Sequence, residues 1–273
     1  MKFLNGAELA GYITERQARQ VRALRQAHGV APTVALLVTT DDPVIERYVA
    51  LKEAYGADIL VDVVVIDVAQ SEVAETIAQL NADVGVHGIV LQLPLADPSQ
   101  TDELVQLITP EKDVDGLGPD ATYLSATAVA IDWLLAGYNV DLKHKSIAIV
   151  GQGRLVGKPL AALWHTTGYE VSVYDETTND LQTALRGAQV IVTATGQPGL
   201  ITEHMLQPSA VVVDAGTASE NGKIVGDVAD SVREQRDDLT ITPVKGGVGP
   251  LTIVALFDAV IQAATKVADT TKD

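Results

Sequence analysis

The 273-residue chain has no cysteine. This excludes disulfides and thiolate metal sites, and it fits a reducing, cytoplasmic setting. Basic residues are also scarce, with 19 Lys and Arg against 36 Asp and Glu, a formal charge of −17. Such a balance argues against a nucleic-acid partner, because neutralising phosphates takes a basic face, and an anionic ligand has to be met by a local basic pocket. No run of 18 residues is apolar throughout, and Met1 to Gln17 carries polar and charged residues where a secretory signal would have an apolar core. No membrane association is therefore expected. Low-complexity segments and short-period repeats are lacking too, and no metal site is read.

What is present is a globular composition, 47% hydrophobic and 20% charged, in a length that suits two modest domains. Short β-branched runs alternate with helical segments. The predicted strands are Thr33–Thr40, Ile59–Asp67, Gly88–Leu95, Ser146–Val150, Glu170–Asp175, Gln189–Thr195, Ala210–Asp214 and Leu239–Val244. The alternation predicts an α/β protein with parallel sheets, and consecutive apolar residues such as Ile147 to Val150 suit strands covered on both faces. The half from about Asn139 to Val244 repeats the β-α-β-α-β rhythm of a mononucleotide fold, so a Rossmann-type dinucleotide domain is expected there. The expected division is 1–138 plus 251–273 for one domain and 139–250 for the other, with a helix over Ser125–Leu135 at the junction and the last helix returning to the first domain.

After Val150 the chain reads Gly151-Gln152-Gly153-Arg154-Leu155-Val156-Gly157 and then opens a helix. Free N–H groups and the dipole at a helix N-terminus favour a pyrophosphate. The third glycine comes one residue later than in G-x-G-x-x-G, so the strand-turn-helix context carries the reading. Asp175 closes the next predicted strand, 18 residues beyond Gly157, where dinucleotide folds place the acid that binds the adenosine ribose. The alternative is a carboxylate that only caps a strand. Thr195-Gly196 and Gly216 follow the next two strands, where glycines make room for a ligand or start a tight turn. Asp175 with Glu176 would repel a 2′-phosphate, and no Arg lies between Arg154 and Arg186. The cofactor is read as NAD or NADP, with NAD favoured.

In the first half, Asp42-Pro43 predicts a helix start and Gly56 its stop, with Val44, Tyr48, Leu51 and Tyr55 as the buried face. Tyr48 and Lys52 are neighbours at four-residue spacing. Lys52 is either a lysine snorkelling to water or one held in a cleft with a lowered pKa. Gln92 is the one polar side chain in a core-like strand, so its amide needs partners that Lys52 or a substrate would supply. Asp113 and Asp115 stand in a Gly-terminated turn that is also readable as a solvated charge cluster. Near the C-terminus, Gly246, Gly247 and Gly249 with Pro250 form a glycine loop ahead of a helix from Leu251 to about Lys266. The three glycines allow positive φ and close approach to a flat or anionic ligand, or else an elaborate strand-to-helix turn.

Six segments, in order along nearly the whole chain, resemble the bifunctional methylenetetrahydrofolate dehydrogenase/methenyltetrahydrofolate cyclohydrolase family. They are Tyr48-Val49 with Lys52, Gln92-Leu93-Pro94-Leu95, Lys112-Asp113-Val114-Asp115-Gly116, the turn at Gly151, Gly226-Asp227-Val228, and Gly246-Gly247-Val248-Gly249-Pro250 with Thr252. The resemblance implies a folate domain built from both chain ends, a nicotinamide-cofactor domain, a cleft between them and a homodimer. It also implies tetrahydrofolate derivatives as ligands and a cytoplasmic role in one-carbon metabolism and purine biosynthesis. Two activities follow from it, oxidation of 5,10-methylenetetrahydrofolate and hydrolysis of the methenyl product. By the same resemblance Tyr48 stacks on the folate, Lys52 is the main cyclohydrolase residue, Gln92 holds and tunes it, and Asp115 binds the pterin. Gly246, Gly247 and Pro250 would line the substrate site; Gly151, Gln152, Gly153, Leu155, Val156, Gly157, Asp175, Thr195, Gly196 and Gly216 would meet the cofactor.

The chain departs from the family pattern in several places. Ser125 to Ala130 replaces a Pro-Cys-Thr-Pro-x-Gly segment and keeps only Thr127, Ile45 stands at a common serine, and Lys245 replaces a proline. Gln152-Gly153 stands where Arg-Ser is common, which again favours NAD. These changes motivate two other readings, a non-catalytic folate- or NAD-binding protein and an NAD dehydrogenase of another small substrate.

Overall fold

The computed structural model describes residues 1–220 and 223–270. In chain order the first elements are β1 (Lys2–Phe3), α1 (Gly6–Ala23), β2 (Thr33–Val38), α2 (Pro43–Ile59), β3 (Asp62–Asp67), α3 (Val73–Ala82), β4 (Gly88–Leu91) and α4 (Thr101–Val105). Next come α5 (Ala126–Gly137), β5 (Ile147–Val150), α6 (Gly157–Thr167), β6 (Val171–Tyr174), α7 (Leu181–Leu185) and β7 (Val190–Thr193). The chain closes with β8 (Val211–Asp214), β9 (Ala218–Glu220), β10 (Lys223–Val225), α8 (Asp230–Gln235), β11 (Thr240–Ile241) and α9 (Val248–Thr270).

Two compact units result. One holds Met1–Ala10 with Thr127–Thr252, the other Gly11–Ala126 with the chain from Ile253 onward. The division differs from the expected 1–138 plus 251–273 at the junction, where residues 127–138 and so nearly all of α5 fall with the dinucleotide unit, and at its N-terminal end, because β1 pairs in parallel with β11, Lys2 opposite Thr240 and Phe3 opposite Ile241. A two-residue strand shows no period, so sequence patterning had nothing to detect. Residues 271–273 of the expected first domain lie outside the described residues.

The first unit is built on a six-stranded sheet ordered β1-β11-β8-β7-β5-β6, parallel throughout. Every residue of β5 and β7 is buried, which is why both read as unbroken apolar runs. β5 lies between β6 and β7, so the chain reverses its direction of strand addition there, and carboxyl ends at such a reversal are where parallel sheets take ligands.

The second unit has a three-stranded parallel sheet ordered β3-β2-β4. Ala35, Leu37, Val73, Ile77, Ile89 and Leu91 form part of its core. Asp42 caps α2 by accepting from the N–H groups of Val44 and Ile45 at 2.7 and 3.4 Å, and Pro43 takes the first helical position. The helix passes through Gly56 and ends at Leu60, in the left-handed region at φ 65°. Gly56 is a contact residue, since a methyl group there would meet Val63 and the carbonyl of Val61.

The buried face of α2 is also rotated from the expected one. Ile45, Val49, Gly56 and Ile59 are buried, Tyr48 and Tyr55 flank them, and Val44 and Leu51 are exposed. Among the described residues α9 alone is long and apolar enough to cross a membrane, and 61% of that window is buried inside the protein, as in a core helix.

Candidate functional site

Lys52 continues the buried stripe of α2, at spacings of three and four residues from Val49 and Gly56. The backbone pins Gln92, just past β4, because its N–H donates to the carbonyl of Leu37 at 2.9 Å. Its side chain, 8% exposed, accepts from the Lys52 ammonium, Nζ to Oε1 at 2.6 Å. A cis peptide joins the next two residues, Leu93 and Pro94. Burial pushes the Lys52 pKa down, and the negative charge of Asp115 pulls it part of the way back. Burial pushes the Asp115 carboxyl up, opposed by the charge of Lys52 and reinforced by that of Asp113. Desolvation thus drives both groups toward neutrality while each stabilises the other's charge. Tyr48, one turn before Lys52, is half-buried, and its hydroxyl pKa is raised by burial.

The turn bearing Asp115 is shaped by its neighbour. Asp113, 2% exposed, accepts from the N–H groups of Gly116 at 3.0 Å, Leu117 at 3.1 Å and Gly118 at 2.7 Å. Of the two carboxylates in this segment, one folds the loop and the other faces the lysine. Lys112 serves the fold as well, donating to the carbonyls of Leu80, Asn81 and Asp83 at the end of α3.

In the first unit, Gly151 has φ 102°, and a methyl group on it would strike the carbonyl of Ala194. Gly157 opens α6 packed so closely on Gly151 that a methyl group would collide with the Gly151 carbonyl. This contact explains the longer glycine spacing, because the third glycine is the first helical residue. Gly153 between them faces open space. Val156 occupies the N-cap of α6 and offers no side-chain acceptor to the first-turn N–H groups. An uncapped helix start beside an open glycine fits a pyrophosphate. Leu155, in the same turn, is exposed.

The Asp175 carboxylate accepts from the Thr177 hydroxyl at 2.6 Å, from the Thr177 N–H at 2.9 Å and from Gln152 Nε2 at 2.8 Å. The Thr177 bonds, with Gln152 adding to them, hold it below the usual carboxylate range. A partly exposed, oriented anion at the end of the second strand fits a ribose diol. Gly196 has φ 67°, and Thr195 donates its N–H to Asp227 at 2.7 Å. Gly216 donates its N–H to Asp214 at 3.1 Å.

The C-terminal glycine loop differs from expectation. Of Gly246, Gly247 and Gly249, only Gly246 has a positive φ, 81°. The Gly246 carbonyl accepts from the Ala7 N–H at 3.0 Å, and a methyl group on Gly6 would strike the Gly247 carbonyl. Much of the loop's backbone freedom is therefore used to receive the start of α1. Pro250 sits in the first turn of α9.

Of the predicted site residues, Tyr48, Lys52, Gln92 and Asp115 share the second unit, whereas Gly246, Gly247 and Pro250 belong to the first with the cofactor residues. Sequence reasoning missed Asp113 as the organiser of its loop and the pair Asp214 and Asp227 as acceptors behind the strand ends. An aspartate beside glycine, as in Gly226-Asp227, was the available signal. Among the described residues no group of three or more His, Asp or Glu side chains is arranged to hold a metal ion.

A parallel sheet with a glycine turn at its reversal and an acid closing the next strand, joined to a unit carrying a desolvated lysine, defines a two-unit α/β protein of the dinucleotide-binding class. Comparison with known proteins is more specific. Residues 4–115 match the tetrahydrofolate dehydrogenase/cyclohydrolase catalytic domain, and residues 125–268 match the NAD(P)-binding domain of the same family. Bifunctional protein FolD of Anoxybacillus flavithermus is 35% identical over 280 residues, covering 96% of this chain and 97% of that protein. The crystal structure of the bifunctional FolD dehydrogenase/cyclohydrolase from Campylobacter jejuni superposes with a TM-score of 0.91 at 33% identity, covering 97% of this chain and 99% of that one. The Trypanosoma brucei dehydrogenase-cyclohydrolase, solved with NADP cofactor and inhibitor, gives a TM-score of 0.90 at 27% identity, with 97% of each chain covered. The chain belongs to the tetrahydrofolate dehydrogenase/cyclohydrolase family.

Proposed function

We propose that this chain oxidises 5,10-methylenetetrahydrofolate to the 5,10-methenyl cation and then hydrolyses that cation to 10-formyltetrahydrofolate. The observation that carries the reading is the desolvated Lys52 ammonium held on Gln92 at 2.6 Å within the field of Asp115.

In the first step the methylene carbon loses a hydride, which a bound nicotinamide accepts, and a folate nitrogen lone pair stabilises the cation. No protein base is required; the chain has to orient the two ligands and exclude water. In the second step water adds to the methenyl carbon, a C–N bond breaks and one proton is released. Lys52, with its pKa lowered, is suited to move that proton, Gln92 fixes the amine, and the Tyr48 ring offers a stacking surface. Asp115, its carboxylate held in the field of Lys52, can accept hydrogen bonds from a pterin edge.

NAD is the preferred cofactor in this proposal. The anionic Asp175 and its partner Gln152 suit a free ribose diol and disfavour a 2′-phosphate. The protein acts as a cytoplasmic homodimer, supplying formyl groups of the kind purine biosynthesis consumes; the exposed Val64 on the edge strand β3 supports self-association. Steady-state assays with methylenetetrahydrofolate and NAD or NADP test the proposal. The expected result is nicotinamide reduction with a higher kcat/KM for NAD, followed by decay of methenyl absorbance. Binding of either ligand without turnover would sink the enzymatic reading.

A further inference from the structure

We infer that Asp227, braced by Asp214, is a positioning residue for the cofactor side of the first unit, setting the two loops that follow β7 and β8. Both carboxylates lie behind the carboxyl ends of these strands, Asp227 with no exposed surface. Asp227 accepts from the Thr193 hydroxyl at 2.7 Å, the Thr195 N–H at 2.7 Å and the Gln197 N–H at 3.0 Å. It thereby draws in the loop after β7 on both sides of Gly196. Asp214 accepts from the N–H groups of Gly216 at 3.1 Å, Asp227 at 2.9 Å and Val228 at 3.1 Å, and from Arg233 at 3.4 Å.

Each carboxylate also occupies the space of a side chain that its neighbouring glycine lacks. A methyl group on Gly216 would strike the Asp227 carboxylate, and one on Gly226 would strike that of Asp214. The loop after β7 is thus fixed by the acceptor-only Asp227 carboxylate of a third segment, Gly226 to Val228, which stands outside the predicted cofactor contacts, and the loop after β8 is fixed by Asp214 and by the packing of Gly216 on Asp227. An ionised carboxylate accepts several donors at once, whereas an amide in the same place presents an N–H pair to N–H groups.

The inference rests on the reading of Thr195, Gly196 and Gly216 as cofactor-binding, and the experiment separates the two. Asp227→Asn and Thr193→Val are compared with wild type for NAD Kd by titration calorimetry, NAD KM and kcat, NAD-independent hydrolysis of methenyltetrahydrofolate, and thermal midpoint. The expected result for Asp227→Asn is a rise in NAD Kd and KM of about tenfold, with methenyl hydrolysis within about twofold of wild type. Thr193→Val, which removes one donor from a buried site at little cost in shape, is expected to raise both by about threefold. Unchanged NAD affinity in the folded variants overturns the inference, as does a parallel fall of both activities with the thermal midpoint. Should Asp227→Asn fail to fold, Thr193→Val alone decides. Absence of NAD binding by wild type overturns the cofactor reading itself.

Discussion

At the scale of single residues, the chemistry rests on where Lys52 sits. An ammonium on the buried stripe of a helix is costly, and the fold offsets that cost with one short bond to Gln92 and the charge of Asp115. Lys52→Met should lower methenyl hydrolysis by about 10²-fold or more, the usual contribution of a positioned proton-transfer group, while leaving NAD affinity unchanged. Hydrolysis that survives the substitution removes Lys52 from its role. The pH dependence follows from the sign of the shift. Because the pKa is lowered in the folded protein, folding releases a proton between the lowered value and the ordinary 10.5. The Lys52 contribution to stability is therefore complete above 10.5 and is lost as pH falls through the lowered value. Enzyme-catalysed hydrolysis, corrected for the spontaneous reaction, should rise with pH through an ionisation below 10.5 that Lys52→Met lacks. Asp175 decides cofactor choice at the same scale. Asp175→Ser with Glu176→Arg should shift the NAD to NADP ratio of kcat/KM toward NADP by roughly tenfold, about 1.4 kcal/mol; an unmoved ratio places the discrimination elsewhere.

At the scale of elements, the glycine turn between β5 and α6 makes two different demands on its glycines. Gly157→Ala drives a methyl group into the Gly151 carbonyl, so α6 must move, and the expected cost is about 1–3 kcal/mol of stability. Gly153→Ala points into open space and should leave the unfolding free energy, read from denaturant titration, within about 0.5 kcal/mol of wild type, yet weaken NAD binding if the pyrophosphate lies there. Equal effects of the two substitutions on stability would refute this division.

The same element scale shows what the sequence made legible. All eight predicted strands form: β2, β4, β5 and β7 are apolar β-branched runs buried in parallel sheets, while the edge strands β3 and β6 are only partly covered and were legible from their β-branched residues. The start of α2 was readable from Asp42 and Pro43, whose bonding is local. Its end and its face were not. Gly56 imitates a stop but is the contact point with Val63, and with a glycine and a lysine standing inside the buried stripe, the apolar period seemed to run through Val44 and Leu51. β1 and the β9–β10 hairpin are too short for any pattern. At the candidate site, the partnership of Lys52 and Gln92 could be anticipated from the need of a buried amide for a partner. The roles of Asp113, Asp214 and Asp227 could not, because they depend on which N–H groups the folded loops turn inward.

At the scale of the whole molecule, the formal charge of −17 opposes compaction in both units. Among the described residues, ion pairs at or near the surface that act as counterweights include Arg16 with Asp258, Arg25 with Asp62 and Arg236 with Asp238, all at 2.8 to 2.9 Å. Pairs of this kind contribute at most about 1 kcal/mol each and weaken in salt. Repulsion among the uncompensated acids weakens as well, since the screening length falls from about 30 Å at 0.01 M to about 8 Å at 0.15 M. With acids outnumbering bases almost two to one, the repulsive contribution is the larger. The melting temperature should therefore rise as NaCl is increased from about 0.01 to 0.15 M, by a few degrees if relief amounts to about 1 kcal/mol. Calorimetry without ligand at constant pH measures this directly. A melting temperature that falls over the same interval would mean that the ion pairs outweigh the net charge.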